Sequence, residues 1–329
     1  MPTRRQAIGF VLAIGFIPGH PDAQPARQVR RLGILMPSGE ADPETGRRLD
    51  AVRTKLDELG WKSGSNLDVT IRYLSGDPDK AAGLARDLVA AHAEIILTAG
   101  TEASKAALAA TKEMPIVMAT IGDPVGIGLA QSLSHPGGNI TGFSLNASGL
   151  SAKRVEFARA CIPDAHHIAI VGNMSNDSVL LKAKSIVEAS VASYIDTKCF
   201  DVSGPSAMAG VLADVRAWKA DVILTTEDTV IVANRDVFIN LARDQKIPVM
   251  SEFAILADAG AVLSYGPSTI DLWRRSAIYI DKILRGTSPG LLPIEQPNSF
   301  ELILNRKSAD TLGLRFPLNI ESFADRIIE

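Results

Sequence analysis

The sequence predicts an α/β protein built as two Rossmann-like, doubly wound lobes. Three observations carry this. Short apolar runs rich in β-branched residues alternate with amphipathic stretches, the pattern of βαβ units and a parallel sheet. The run 93–98 (AEIILT) is echoed at 220–225 (ADVILT), and each is followed by a polar loop, a helical stretch and a short strand led in by proline (MPIVM, IPVMS). The length, 329 residues, suits two domains or one large α/β unit.

In chain order the strand-like runs are 31–36 (RLGILM), 67–73 (LDVTIRY), 93–98, 115–120 (PIVMAT), 167–172 (HIAIVG), 194–202, 220–225, 247–251 (IPVMS), 260–264 (GAVLS) and 300–305. Most are short and largely apolar, as strands covered on both faces are. Helical stretches fall between them at 44–59, 79–91, 102–112, 151–160, 206–218, 229–245 and 271–285. Each half reads as its own sheet, with the first switch between halves at 142–146. The Pro/Gly segment 287–297 (TSPGLLPIEQP) before the last strand suits a chain that crosses between lobes more than once.

The N-terminus differs from the rest. Arg4-Arg5 precede an uncharged stretch, 7–18 (AIGFVLAIGFIP), followed by HPDAQPA. This is the layout of a secretory signal peptide, with cleavage expected near Ala23 or Ala26. The apolar run is too short to span a bilayer, which takes about 18 to 20 residues. No cysteine follows it for lipid attachment, so the mature protein is expected to be free and soluble, exported by either the Sec or the twin-arginine route. The charges are nearly balanced, 34 basic against 37 acidic for a net charge of -3. Such a balance lacks the basic footprint of a nucleic-acid binder. Cys161, at a helix end, and Cys199, in a strand-like run, are read as small buried thiols in preference to a disulfide.

No catalytic motif is present. The chain has no GxxxxGK[ST] phosphate loop, no GxSxG elbow and no HExxH pair. Gly126-Ile-Gly128-Leu-Ala-Gln131 lacks the third glycine of a dinucleotide fingerprint. The histidines have no metal-ligand partner at close spacing, so neither metal nor cofactor is expected.

In open α/β sheets ligands bind beyond the carboxyl ends of the strands. Here those loops are polar, with Ser38, Gly100-Thr101 and Asp123 in the first half and Asn173, Glu227-Asp228 and Ser251 in the second. Gly100-Thr101 opens a helix, so its N–H groups and the Thr101 hydroxyl suit either a ligand carboxylate or a plain N-cap. Asp123 before Pro124 has the form of a cap with proline at the first helical position. Glu227 and Asp228 place two acids at one cleft mouth, where one of them is read as balancing a ligand ammonium. Tyr265, at a strand end, suits stacking on an aromatic ligand or packing at a hinge.

Five segments in order resemble one family: RRLGILMPSG, LDELGW ending at Trp61, and the stretches 121–143 (IGDPVGIGLAQSLSHPGGNITGF), 263–286 (LSYGPSTIDLWRRSAIYIDKILRG) and 292–314 (LPIEQPNSFELILNRKSADTLGL). The chain resembles ABC-transporter substrate-binding proteins of the tryptophan- and tyrosine-binding kind, nearly end to end. The resemblance implies a type I periplasmic binding fold whose two lobes, joined by three crossover strands, close on one small molecule. It places residues 27–143 with about 267–296 in lobe 1, and 144–266 with about 297–329 in lobe 2, after a signal peptide at 1–26. It maps ligand contacts onto Gly100-Thr101, Asp123, Asn146, Glu227-Asp228 and Ser251. Its implied partners are an amino acid or aromatic acid and an inner-membrane permease with its ATPase, and the protein itself is expected to be monomeric. Two departures stand out: Glu227-Asp228 replaces an Asp-Asn pair often found in relatives, and the lipid-bearing cysteine of the lipoprotein members is absent, which against that family points to the periplasm of a Gram-negative cell.

The function read from the sequence is therefore a non-catalytic solute receptor of an ABC importer. Its rivals are a periplasmic sensor that presents its liganded shape to a membrane receptor, and an enzyme on the same framework. The absent motifs speak against the enzyme.

Overall fold

The computed structural model describes residues 29–146, 149–226 and 228–329. The export segment and Glu227 lie outside the described residues. The first lobe is a five-stranded parallel sheet of β1 (Arg30–Met36), β2 (Leu67–Tyr73), β3 (Ile95–Ala99), β4 (Ile116–Ile121) and β5 (Ile140–Ser144), in the order β2-β1-β3-β4-β5. Its sequence supplies helices α1 (Pro43–Glu58), α2 (Ala81–Ala90) and α3 (Thr101–Ala110).

The second sheet has seven strands: β6 (His167–Gly172), β7 (Asp196–Asp201), β8 (Val222–Thr225), β9 (Val249–Ser251), β10 (Leu263–Pro267), β11 (Phe300–Asn305) and β12 (Arg326–Ile328). Their order is β12-β11-β10-β9-β8-β6-β7, and only β11 against β10 is antiparallel. From its far edge, β7-β6-β8-β9-β10 repeats the order of the first sheet, so the twin runs AEIILT and ADVILT fall in the matching strands β3 and β8. The remaining helices are α4 (Leu150–Cys161), α5 (Asp177–Val191), α6 (Met208–Ala217), α7 (Thr229–Ala233), α8 (Arg235–Asp244), α9 (Ala254–Ala259), α10 (Thr269–Leu284), α11 (Arg306–Thr311) and α12 (Leu318–Glu321).

The local chemistry explains the elements. Strands β3, β4 and β8 are buried along their whole length, as helix-covered parallel strands must be, whereas the edges β2 and β7 are mostly half-buried or exposed. Helix α1 starts at an Asp42 cap that accepts the Glu44 N–H, has Pro43 at its first turn and carries Lys55 in its last turn. Helix α5 is capped by Asn176 in the same way. The expected helix 229–245 is two helices, broken at Asn234, whose backbone leaves the helical region at φ -116° and ψ 26°. No helix follows Asp123. Residues 124–128 form turns, where Gly128 takes φ +75° and Gly126 adds backbone freedom that disfavours a regular helix. Strands β5 and β12, absent from the sequence reading, complete the two sheets.

Three crossings join the lobes. The chain leaves β5 for α4, leaves β10 for α10, and returns from Glu295 to β11. Helix α10 packs on α1 and β4 of the first lobe, and Trp61 fastens it by donating Nε1–H to Asp281 Oδ1 at 2.8 Å. Glu295 lies beside β5, donating its N–H to the Gly142 carbonyl at 3.0 Å and accepting from the Ser144 N–H at 2.8 Å. Both cysteines are free. Cys161 is buried and its thiol is pushed up by burial to about 12, whereas Cys199, expected to be buried, is exposed on the edge strand β7. Among the described residues no helix is long and apolar enough to cross a membrane, and no cluster of His, Cys, Asp or Glu could hold a metal ion.

Candidate functional site

The carboxyl ends of the two sheets face each other, and polar groups bridge them. The Thr101 hydroxyl donates to Ser178 Oγ at 3.0 Å, and Asn176 Nδ2 donates to Glu102 Oε2 at 3.0 Å. Lys105 pairs with Asp177. At another edge of the cleft both Nη groups of Arg235 donate to Asp42, at 2.8 and 2.9 Å. Burial alone would raise the Asp42 carboxyl, but the Arg235 hydrogen bond, the Glu44 N–H and the charges of Arg235 and Arg48 outweigh it and hold that carboxyl below its ordinary value.

Between these bridges lies a cavity of about 40 Å³. Its polar wall is Arg48, Thr101, Thr120, Thr229 and Thr269, its apolar wall Ile121, Leu145, Val232 and Phe253, and Gly100, Gly122 and Asp228 complete it. Larger grooves lie elsewhere, about 340 Å³ at the opposite end of the second sheet and about 490 Å³ between α1 and the end of β10 and start of β11, neither walled by strand ends of the first sheet. The position at the strand ends of both sheets, not size, marks the small cavity as the site.

Of the residues expected from sequence, Gly100, Thr101 and Asp228 meet in this cavity. The Asp228 carboxylate is engaged by the chain itself: Oδ1 caps α7 by accepting the Val230 and Ile231 N–H groups at 2.6 and 2.9 Å, and Oδ2 accepts the Asn173 N–H at 2.5 Å. Burial pushes its carboxyl up despite those three bonds, which pull the other way. Asn173 is thereby tied to Asp228, while its Oδ1 accepts from the Ser175 N–H and hydroxyl at 3.1 and 2.5 Å.

The other expected residues lie outside the cavity wall. Ser38 is buried just beyond β1. The Ser251 hydroxyl oxygen accepts the Phe253 N–H at 3.1 Å, which seats the phenyl ring of the apolar wall. Asp123 accepts the Gly126 N–H at 2.9 Å and closes a turn. Asn146 lies on the first crossing, its carbonyl taking the Gln296 side-chain N–H at 2.7 Å. The Tyr265 ring meets Phe157 edge-on at 5.1 Å and Phe300 at 6.0 Å, an aromatic group on β10, β11 and α4.

Sequence reasoning missed two charged groups. Arg48, on α1, is 5% exposed and lines the cavity. Its Nε donates to Glu44 Oε1 at 3.2 Å, and burial lowers its affinity for the proton. In the second lobe, Glu252 at the end of β9 stands 3.1 Å from Arg154 Nη2 and 3.8 Å from Lys182 Nζ, all three buried. A signal existed for the cations. Arg48 falls on the buried stripe Thr45, Arg48, Val52, Leu56, and Arg154 on the stripe Ser151, Arg154, Val155, Ala158, where helical spacing calls for apolar side chains.

The comparisons with known proteins agree with this architecture. The family pattern of the ABC transporter substrate binding proteins matches residues 43–328. A tyrosine-binding protein of Clostridioides difficile (strain R20291) is 25% identical over 260 residues, covering 79% of this chain and 74% of its own. Among solved structures, an ABC domain in complex with L-Trp from Streptococcus pneumonia superposes with a TM-score of 0.86 at 23% identity, covering 92% of this chain and all of that one. A ligand-free, open substrate binding protein from Clostridium difficile gives 0.65 at 22% identity, covering 91% of this chain and 99% of its own. At these identities the structures show the fold, a type I periplasmic binding architecture of two α/β lobes. The pattern over 43–328 shows the rest: the chain belongs to the ABC transporter substrate binding protein family, whose members bind solutes and are not enzymes.

Proposed function

We propose that this chain is the periplasmic solute-binding component of an ABC importer. It is exported by its N-terminal segment, binds a small amino-acid-like solute between its lobes, aromatic members included, and delivers it to an inner-membrane permease and its ATPase as a monomer. The lobes divide at the three crossings, residues 27–143 with about 267–296 against 144–266 with about 297–329. The observation that carries the reading is the cavity walled by the strand ends of both lobes. A site shared this way couples occupancy to lobe closure, because a solute touching both walls stabilises the closed form over the open one. At about 40 Å³ the cavity is far smaller than the roughly 300 to 1,000 Å³ of drug-sized sites, so entry of an amino acid requires the lobes to part. The interlobe bridges described above are hydrogen bonds and ion pairs, which water can replace. The ligand class is supported by the tyrosine-binding relative, by the tryptophan held in the pneumococcal structure, and by the Leu145, Val232 and Phe253 wall.

The test is native mass spectrometry of whatever copurifies, followed by a thermal-shift panel of amino acids and aromatic acids. A cognate solute at about 100 times its Kd stabilises by about 2.7 kcal/mol and raises the melting temperature visibly. A panel in which no amino acid shifts the transition while some other small acid does would reject the ligand class.

A further inference from the structure

The second lobe buries three charges under its strand ends. Arg154 on α4, Lys182 on α5 and Glu252 just past β9 are 1%, 6% and 1% exposed. Arg154 reaches furthest. Its Nη2 stands 3.1 Å from Glu252 Oε2, and its Nη1 donates at 3.4 Å to the carbonyl of Thr225, the last residue of β8. The Glu252 carboxylate also meets Lys182 Nζ at 3.8 Å, and Glu252 packs over β10, where a Cβ on Gly266 would stand 2.9 Å from its Cγ. The cluster therefore joins α4, the helix by which the chain enters the second lobe, to the ends of β8, β9 and β10.

Two of those strand ends lead straight into the cavity wall. Phe253 follows Glu252, and Asp228, Thr229 and Val232 follow β8, whereas none of the three charged residues lines the cavity itself. In a low-dielectric interior a charge displaced from its partner is left uncompensated, which penalises any shift of β9 or β8 against α4. We propose that Arg154 and Glu252 are positioning residues for the solute site: their buried pair holds Phe253 and the turn from β8 into α7 in the cavity wall, and so sets which solute side chain the second lobe accepts. The inference rests on the solute-binding reading above.

The test separates holding the wall from holding the fold. Removing one member of a buried ion pair strands the other, whereas replacing both by uncharged groups of like size removes the penalty together with the pair. Glu252→Gln and Arg154→Met are therefore compared with the double variant, which keeps the net charge of the three residues and leaves Lys182 an amide oxygen. Thermal unfolding reads the fold, and should place the double variant closer to wild type than Glu252→Gln. Amide hydrogen exchange of the solute-free proteins reads the wall. The Phe253 and Ile231 amides, bonded to Ser251 Oγ and Asp228 Oδ1, should exchange about tenfold faster or more in the double variant, while β1 and β3 of the first lobe stay as in wild type. Calorimetry with L-tryptophan, L-tyrosine and L-leucine reads selectivity, and the affinity ratio between the better-bound aromatic and L-leucine should change about fivefold or more. Arg154→Lys keeps the charge and should show the same pattern at smaller size; if the double variant fails to fold, Arg154→Lys decides on the same readouts. Wall amides and affinity ratio both as in wild type overturn the proposal, because the pair then serves stability alone. So does exchange that rises evenly over the second lobe, β6 included. A wild type that binds none of the three amino acids overturns the amino-acid reading, and the exchange rates alone then decide whether the pair positions the wall.

Discussion

Strands β3 and β8 hold the same place in their sheets, and each runs into a helix whose N-terminus faces the other lobe. In lobe 1 that end is Gly100 at φ +81°, which offers no capping side chain, followed by the acid Glu102, whose carboxylate takes its own backbone N–H in the first turn. In lobe 2 it is Asp228, whose carboxylate takes two N–H groups of α7 and a third from Asn173. The two ends are close enough that a Cβ on Gly100 would stand 3.1 Å from Thr229 Cγ2. A shared strand order therefore places two helix dipoles nose to nose, a repulsive arrangement unless something negative lies between them. Lobe 2 supplies its own negative charge. Lobe 1 supplies Glu102, one residue into α3, whose carboxyl is pushed up by burial and by the charges of Asp228 and Asp177. Duplicated topology fixes where a site can be, and each half quiets its helix end with an acid at a different position, the N-cap in lobe 2 and the first turn in lobe 1.

The largest effect expected from this pairing of lobes is at the strands that lead into the crossings. Gly142 in β5 sits at φ +140°, and a Cβ there would fall well inside contact distance of the Met118 backbone. Gly266, in the matching strand β10, is just as tight against the Glu252 carbonyl but its φ is not in the left-handed region. Gly142→Ala combines backbone strain with overpacking and should cost about 3 kcal/mol or more, and Gly266→Ala about 2 kcal/mol. Urea unfolding of the two variants compares them. An equal or reversed order would show that the left-handed conformation contributes little and that crowding alone requires glycine.

A middle-sized effect tests the caps. Asp228→Ala strands three backbone N–H groups and should destabilise the protein by about 2 kcal/mol, whereas Asp228→Asn keeps an acceptor and should cost under about 1 kcal/mol. If Asp228→Ala instead unfolds like the wild type while solute affinity collapses, the carboxylate belongs to the ligand and the contrast between the lobes fails.

The fold was legible and the site only in part, for a physical reason. Apolar runs at strand length and a repeated six-residue motif report burial, and burial fixes the layers. Strand β5 (ITGFS) escaped because Gly142 and Thr141 dilute its apolar pattern, and β12 because three residues are too few to show one. Polar loop residues at strand ends were visible as candidates, but a loop residue can spend its polar atoms on its own backbone, as Asp123, Ser251 and Asp228 do. Which atoms remain for a ligand depends on partners distant in sequence. Arg48 went unnoticed because an arginine on a surface-like helix reads as solvated, although its place on the α1 stripe marks it as buried.

The smallest effects compare two edges of the cleft. The Asp42–Arg235 pair is bidentate and screened from solvent, its side chains 11% and 14% exposed, while Lys105–Asp177 is open at 42% and 55%. Charge-assisted bonds in the first setting are worth about 1 kcal/mol or somewhat more, and exposed pairs about 0 to 1 kcal/mol. Both span the lobes, so each acts on closure, and a closed form made 1 kcal/mol less favourable lowers apparent solute affinity about fivefold. Arg235→Ala should show that loss in calorimetry, and Lys105→Ala less than a twofold change that vanishes with added salt. The pH dependence follows the same pair. Of the groups that lower the Asp42 carboxyl only Arg235 comes from the other lobe, so closure lowers it further than in the parted form, and the pair's contribution is lost as pH falls through that lowered value. Wild type should therefore lose affinity in that acid window relative to Arg235→Ala, whose affinity stays flat there. Parallel acid profiles for the two proteins would mean that the bridge forms without driving closure.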